Sequence, residues 1–259
     1  MTEYTDHRTP EGLRVRGTIL VVPGRGESRA TYARLGRRLA ADAYRVRVLD
    51  APDPAGAADD PAGWLARFGA ALDRAAEDTA DGDGVVRPVV VVGADTGAVA
   101  IAALLGGAAD GGGRTPDAVV LAGLPAPDAP VPAGDDWEGE LDVRTACPVH
   151  RGVLTDDALV RRGSLREAVP ASLLTAACTG TIGVPALFLA GEADPLADLD
   201  AMAAAVKGLT RARLSVVREA RHDVLNDLQH RSVAAEIVTF LEALRTALVP
   251  AVAVRSSSW

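Results

Sequence analysis

Two kinds of apolar run alternate along the chain. Short runs at residues 15–22, 44–49, 89–92, 118–121, 184–190 and 213–217 have the length and apolar character of strands, several rich in valine and isoleucine. Longer stretches between them repeat apolar residues at helical spacing. Tyr32, Leu35 and Leu39 do so in 28–41, and Trp64, Leu65, Phe68 and Leu72 in 61–79. Residues 199–208 form a shorter helix, and 231–248 a long one with Val233, Ile237, Leu241, Leu244 and Leu248 facing inward. Breakers separate them: Pro23-Gly-Arg-Gly26, Asp50-Ala-Pro-Asp-Pro54, Asp81-Gly-Asp-Gly84 and Gly191-Glu-Ala-Asp-Pro195. Strand-helix alternation predicts an α/β chain with a mostly parallel twisted sheet flanked by helices. The alternation stops between Leu124 and Gly183, where only weak helical segments such as 156–165 are found. The expected division is a core of residues 1–124 and 182–259, with 125–181 as a small cap insertion.

The segment from Pro88 to Leu105 is the most informative. Four valines in a row indicate a strand buried on both faces. Gly93-Ala-Asp-Thr-Gly97 follows, and then small and apolar residues suited to a helix. Small residues two before and two after a central side chain, between strand and helix, make the pattern of a nucleophile elbow. The central residue is Asp95, where most elbows carry serine.

Composition narrows the partners. Hydrophobic residues make up 48% of 259, enough for a sizeable core, and the net charge is −8 without a basic cluster. That argues against nucleic acid or an anionic membrane as partner. Lys207 is the only lysine. Cys147 and Cys178 provide neither a disulfide framework nor zinc spacing, and Cys147 with His150 lacks third and fourth ligands, so no metal and no cofactor is expected. The polar start and the absence of a long apolar run predict no signal peptide, no membrane span and a cytoplasmic location.

Ligands of open α/β sheets gather at the carboxyl ends of the strands. Four such ends bear suggestive groups: the Pro23-Gly24-Arg25-Gly26 loop, Asp95, Asp194, and His222 a few residues beyond the strand ending at Val217. The order nucleophile, acid, histidine is that of α/β-hydrolases. The chain resembles that superfamily, nearest its monoacylglycerol lipase and lysophospholipase-like branch. The resemblance rests on Pro23-Gly-Arg-Gly-Glu-Ser-Arg-Ala-Thr-Tyr32 and the residues to Leu39, on the elbow, and on Leu187-Phe-Leu-Ala-Gly-Glu-Ala-Asp-Pro195 with Ala220-Arg-His-Asp-Val-Leu-Asn226. It implies the α/β-hydrolase fold, Asp194 as the acid partner, His222 as the base, and an oxyanion hole from the backbone N–H groups of Arg25 and Thr96. Pro23 stands where the family has histidine.

Aspartate at the elbow changes the chemistry. A carboxylate is ionised at neutral pH and needs no base before it attacks. Its attack on a saturated carbon gives an ester on the enzyme, which water activated by histidine then cleaves, as in the haloalkane dehalogenases and epoxide hydrolases of the superfamily. Tyr4, Tyr32 and Tyr44 all lie outside the cap, where an epoxide hydrolase would need them. Thr96 follows the elbow residue where a dehalogenase typically has a halide donor, leaving Trp137 as the spare candidate. The expected function is hydrolysis of a small organic molecule, with Asp95 as nucleophile or water-activating carboxylate. The alternatives are a non-hydrolytic acid–base enzyme (a lyase or cyclase) and an inactive binding protein on the same fold. His222 between two carboxylates should hold its proton unusually tightly.

Overall fold

The computed structural model describes residues 4–80, 84–107, 116–130, 136–253 and 255–257. Among the described residues seven strands form one sheet: β1 (Thr5–His7), β2 (Gly17–Val22), β3 (Tyr44–Val48), β4 (Val89–Ala94), β5 (Ala118–Ala122), β6 (Ala186–Gly191) and β7 (Ala212–Val217). Their order is β1-β3-β2-β4-β5-β6-β7, and every pair is parallel except β1 with β3. The α/β architecture expected from the alternation is therefore present. Residues 81–83 of the turn expected at 81–84 and residues 131–135 of the expected cap insertion lie outside the described residues.

Each central strand feeds two cores, which is why its residues are apolar on both faces. Ile19, Val21, Val90, Val92, Val120 and Leu187 point to one side. There they meet Leu35 and Leu39 of α1 (Ala33–Ala41) and Ile237 and Leu241 of α8 (His230–Ala243). Leu20, Val22, Val91, Val119 and Phe188 point to the other. There they meet Leu72 of α2 (Pro61–Glu77), Ile101 of α3 (Thr96–Gly106) and Met202 of α7 (Leu199–Lys207). The two-residue period of a strand divides one valine run between two layers of helix.

One element went unanticipated and one expectation needs correction. Ahead of the first expected strand, residues 5–7 of the polar amino terminus form an antiparallel edge strand, with His7 in it. Asp6 holds buried Arg47 by two 2.7 Å hydrogen bonds, and that guanidinium lies 4.5 Å over the Tyr4 ring. Charge pairing thus takes the place of apolar periodicity. The helix expected at 156–165 is displaced. The segment between β5 and β6 contains α4 (Trp137–Arg144), α5 (Pro148–Asp156) and α6 (Ala171–Thr179), with turns and a short 3-10 segment (Ser164–Arg166) after α5. Pro148 starts α5 at its first turn, where the missing N–H costs nothing. Leu173 and Leu174 of α6 pack with Val99, Ala100 and Ala103 of α3.

Candidate active site

The strand β4 ends in a turn that only small residues permit. A Cβ on Gly93 would lie 2.5 Å from Ile101 Cδ1 and 2.7 Å from the Ala98 nitrogen. One on Gly97 would lie 2.5 Å from the Val22 carbonyl oxygen. Between them Asp95 takes φ 45° and ψ −118°, a backbone conformation that costs a non-glycine residue on the order of 1–3 kcal/mol. Its N–H is tied to the Ala122 carbonyl at 3.0 Å, and its side chain is carried above the sheet's carboxyl edge. Thr96 follows as the first residue of α3.

The loops after β6 and β7 bring two further groups to this point. Asp194 Oδ2 is 2.9 Å from His222 Nδ1, and His222 Nε2 is 3.3 Å from Asp95 Oδ1. The second contact is an ion pair and not an aligned hydrogen bond. Asp194 is fixed by the Leu196 N–H, which donates to its Oδ1 at 2.9 Å. All three side chains are buried, His222 to 2% exposure. Burial alone would push the His222 pKa down, but Asp194 and Asp95 together raise it from 6.5 to about 10. The imidazole is therefore a cation at neutral pH, as its two flanking carboxylates dictate.

Arg25 has a larger part than its backbone. Its Nε and Nη2 grip the two Asp95 oxygens at 2.8 Å each, and its backbone N–H donates to Asp95 Oδ2 at 2.8 Å. Burial disfavours the Asp95 charge, but Arg25 and His222 outweigh it and hold the carboxyl well below the ordinary range. The amide expected to serve an oxyanion is thus occupied by the elbow residue's own carboxylate. The remaining guanidinium nitrogen, Nη1, donates to the Leu165 carbonyl at 3.1 Å and the Glu167 carbonyl at 2.7 Å. One side chain joins the elbow to the segment between β5 and β6. A charged side chain between Gly24 and Gly26, in a loop facing an acidic elbow, was the signal available in the sequence.

That segment is bolted down beside the same loop. Buried Arg144 donates to the Arg25 carbonyl at 2.8 Å, to Ser164 Oγ at 2.9 Å and to Glu140 Oε1. The Arg161 N–H donates to the Gly26 carbonyl at 2.9 Å. Gly26 has φ +70°, and a Cβ there would lie 2.0 Å from Ser164 Oγ and 2.5 Å from the Arg161 carbonyl oxygen. Gly26→Ala should therefore lower unfolding stability by about 1–3 kcal/mol, read from denaturant melts, by strain and by prising the segment away.

A second buried group of charges lies alongside. Glu27 accepts from the Gly24 N–H at 2.8 Å and from the Tyr32 hydroxyl. Burial first, and Asp223 second, push its pKa up to about 7. His150 Nε2 bonds Asp223 Oδ2 at 2.9 Å, and Arg144 Nη1 lies 3.5 Å from Asp223 Oδ1. Among the described residues Glu27, His150 and Asp223 form the one trio whose ligand atoms lie within 4.8 Å of one another. Tyr32 and Arg144 already engage these carboxylates, and a cation would have to compete with that guanidinium. No cation is assigned here. The trio comes from three distant stretches, so local spacing could not reveal it; the sequence suggested only Cys147 with His150. Cys147 instead immediately precedes α5 as its N-cap residue, with its sulfur 3.8 Å from Arg34 Nη1.

The space beside Asp95 and His222 is small. A cavity of about 10 Å3, lined in part by Glu27, Asp223 and Asn226, has room for about one water molecule. Trp137 spends its indole N–H on Thr155 Oγ1 at 3.0 Å, and Arg162 covers its ring, so it donates nothing to Asp95. His230 is a half-buried first residue of α8.

No protein-family model matches the sequence, and no curated protein matches it. Solved structures do match in fold. The monoacylglycerol lipase of Paleococcus ferrophilus superposes with a TM-score of 0.70 at 16% identity, over 94% of this chain and 99% of that one. A soluble variant of the Saccharomyces cerevisiae monoglyceride lipase, bound to a substrate analogue, gives 0.69 at 16% identity over 93% and 91%. A thermostable carboxyl esterase from Bacillus coagulans, bound to glycerol, gives 0.64 at 13% identity over 94% of each chain. At such identities the likeness establishes the common architecture and nothing finer.

Proposed function

Starting from the α/β-hydrolase fold that this chain has, we propose that it hydrolyses a small organic molecule at Asp95, with His222 as base and Asp194 as its partner. The observation that carries the reading is the series Asp194–His222–Asp95 at 2.9 and 3.3 Å on a strained elbow. A buried strain of this kind persists when the surroundings over-determine it. The likeness to lipase and esterase structures agrees with it.

In this mechanism an Asp95 oxygen attacks the substrate carbon and forms a C–O bond, and the leaving group departs with its electron pair. Esterified Asp95 is neutral. His222 then faces one carboxylate instead of two, its pKa falls, and it gives up its proton to the departing group or to solvent and becomes a competent base. It takes a proton from water, whose oxygen adds to the Asp95 carboxyl carbon. The tetrahedral oxyanion is met by the N–H groups of Arg25 and Thr96. Collapse breaks the bond to the product alcohol, which leaves with the proton.

Asp95 cannot attack while Arg25 grips both its oxygens. Because Arg25 Nη1 is tied to the Leu165 and Glu167 carbonyls, displacement of the 125–181 segment, acting as a cap, withdraws the guanidinium. In this reading the described arrangement corresponds to a closed cap.

A His222→Gln variant should trap a substrate-sized mass on Asp95 across a panel of haloalkane, epoxide, lactone and ester substrates. Turnover by the parent protein in 18O-labelled water should place the label in Asp95. Its rate should rise from neutral to alkaline pH as the base form of His222 becomes available; a flat or acid-favouring profile would remove His222 as the base. The bidentate Arg25 clamp and the 10 Å3 cavity favour a second reading, a non-catalytic binding protein in which the ion network is structural. No adduct and no turnover would select it.

A further inference from the structure

A second cleft lies between α1 and α8, lined by groups that neither the elbow nor the triad uses. Its volume is about 260 Å3, just below the usual range for small-ligand sites. Arg34 and Arg38, one helical turn apart on α1, line one wall, and His230 and Arg231, the first two residues of α8, line the other. Leu35 and Leu225 contribute apolar surface. A chain with 35 acidic and 27 basic residues has carboxylates to spare. Yet among the described residues neither Arg34 nor Arg231 forms an ion pair with one, and Arg38 has only the exposed 3.6 Å contact with Asp42. Arg34 is instead oriented by the Asn226 carbonyl, to which it donates. Like charges crowded into one concave site repel one another unless an anion answers them. The α8 amino terminus adds its positive dipole end to the same wall.

We propose that this cleft binds a small phosphorylated molecule with an apolar body, its phosphoryl group held by Arg34, Arg38 and Arg231 and its body against Leu35 and Leu225. Planar guanidinium forks suit phosphoryl oxygens, and three of them match a dianion better than a monoanion. The cleft also explains the state of His230, whose pKa is lowered by burial and then by the charges of Arg34 and Arg231. Other groups close to it in the cleft are the same arginines, so an arriving dianion should reverse the effect.

The test uses the full chain and three probes: phenyl phosphate, benzoate and benzyl alcohol, followed by calorimetry and by the proton resonances of His230. Phenyl phosphate should bind saturably, and benzoate about ten-fold more weakly. Benzyl alcohol should not bind, and the His230 pKa should rise on saturation with phenyl phosphate. Arg231→Gln and Arg38→Gln alter exposed residues and leave the fold intact by circular dichroism; each should weaken phenyl phosphate about ten-fold. Binding unchanged in both variants, or no saturable binding by the parent protein, overturns the site. Benzoate binding as tightly as phenyl phosphate overturns the phosphoryl assignment.

Discussion

Arg25→Met should destabilise the fold by about 3–5 kcal/mol, because it leaves the buried Asp95 carboxylate without its bidentate partner and with only the misaligned His222 imidazolium beside it. Asp95→Asn keeps the side-chain shape and should cost a similar amount, since Arg25 is then the unpaired charge. The double variant should recover much of the loss. Replacing both partners of a buried pair is often close to neutral, whereas removing one is not. Denaturant melts of the four proteins form a cycle, and the expected coupling is about 3 kcal/mol or more. Additive losses would mean that Arg25 and Asp95 do not act as a unit. The cycle also bears on chemistry. An Asp95→Ser protein that also carries Arg25→Met has a free amide at position 25 and a histidine relieved of one carboxylate. Gain of chromogenic-ester hydrolysis in that protein would indicate that the remaining machinery is intact.

The second large effect is on stability against pH. His222 has a folded-state pKa of about 10 against an ordinary 6.5, so between these values the folded protein binds a proton that the unfolded chain does not. Its contribution is fully present below about pH 6.5 and is lost as pH rises through about 10. Glu27, raised to about 7, acts in the same direction but only below neutrality. His7 and His230, both lowered, act in the opposite direction near and below 6.5. The interval from pH 7 to 9 therefore reports His222. The parent protein should lose several kcal/mol across and just beyond it, and His222→Gln should show a much flatter curve. Parallel curves for the two proteins would mean that His222 is not held as an imidazolium between the carboxylates.

Much of the frame could be read along the chain. Valines 89–92 predicted a strand buried on two faces because adjacent strand residues point to opposite layers, and β4 occupies the centre of the sheet. Gly93 and Gly97 marked the elbow, since their missing Cβ atoms are what let β4 turn into α3 against β2. Asp95, Asp194 and His222 converge for a topological reason: parallel strands deliver their carboxyl ends to one edge whatever lies between them. Each of these inferences needs only local spacing and chain order.

Other features depend on which side chains meet across long separations. Edge strand β1 is held by Asp6 on Arg47, a pair with no apolar period to announce it. The Arg25 grip on Asp95 spans 70 residues, and its ties to Leu165 and Glu167 span twice that. The trio of Glu27, His150 and Asp223 and the arginine-lined cleft between α1 and α8 likewise draw on separate parts of the chain. Sequence by itself determined the alternation of central strands and helices outside residues 125–181, the elbow and the three residues that face one another, because backbone periodicity and chain order dictate them. Tertiary structure alone decided what the elbow carboxylate touches. A guanidinium on a long, rotatable stem chooses its partner by burial and charge, and neither is written in the spacing of neighbours.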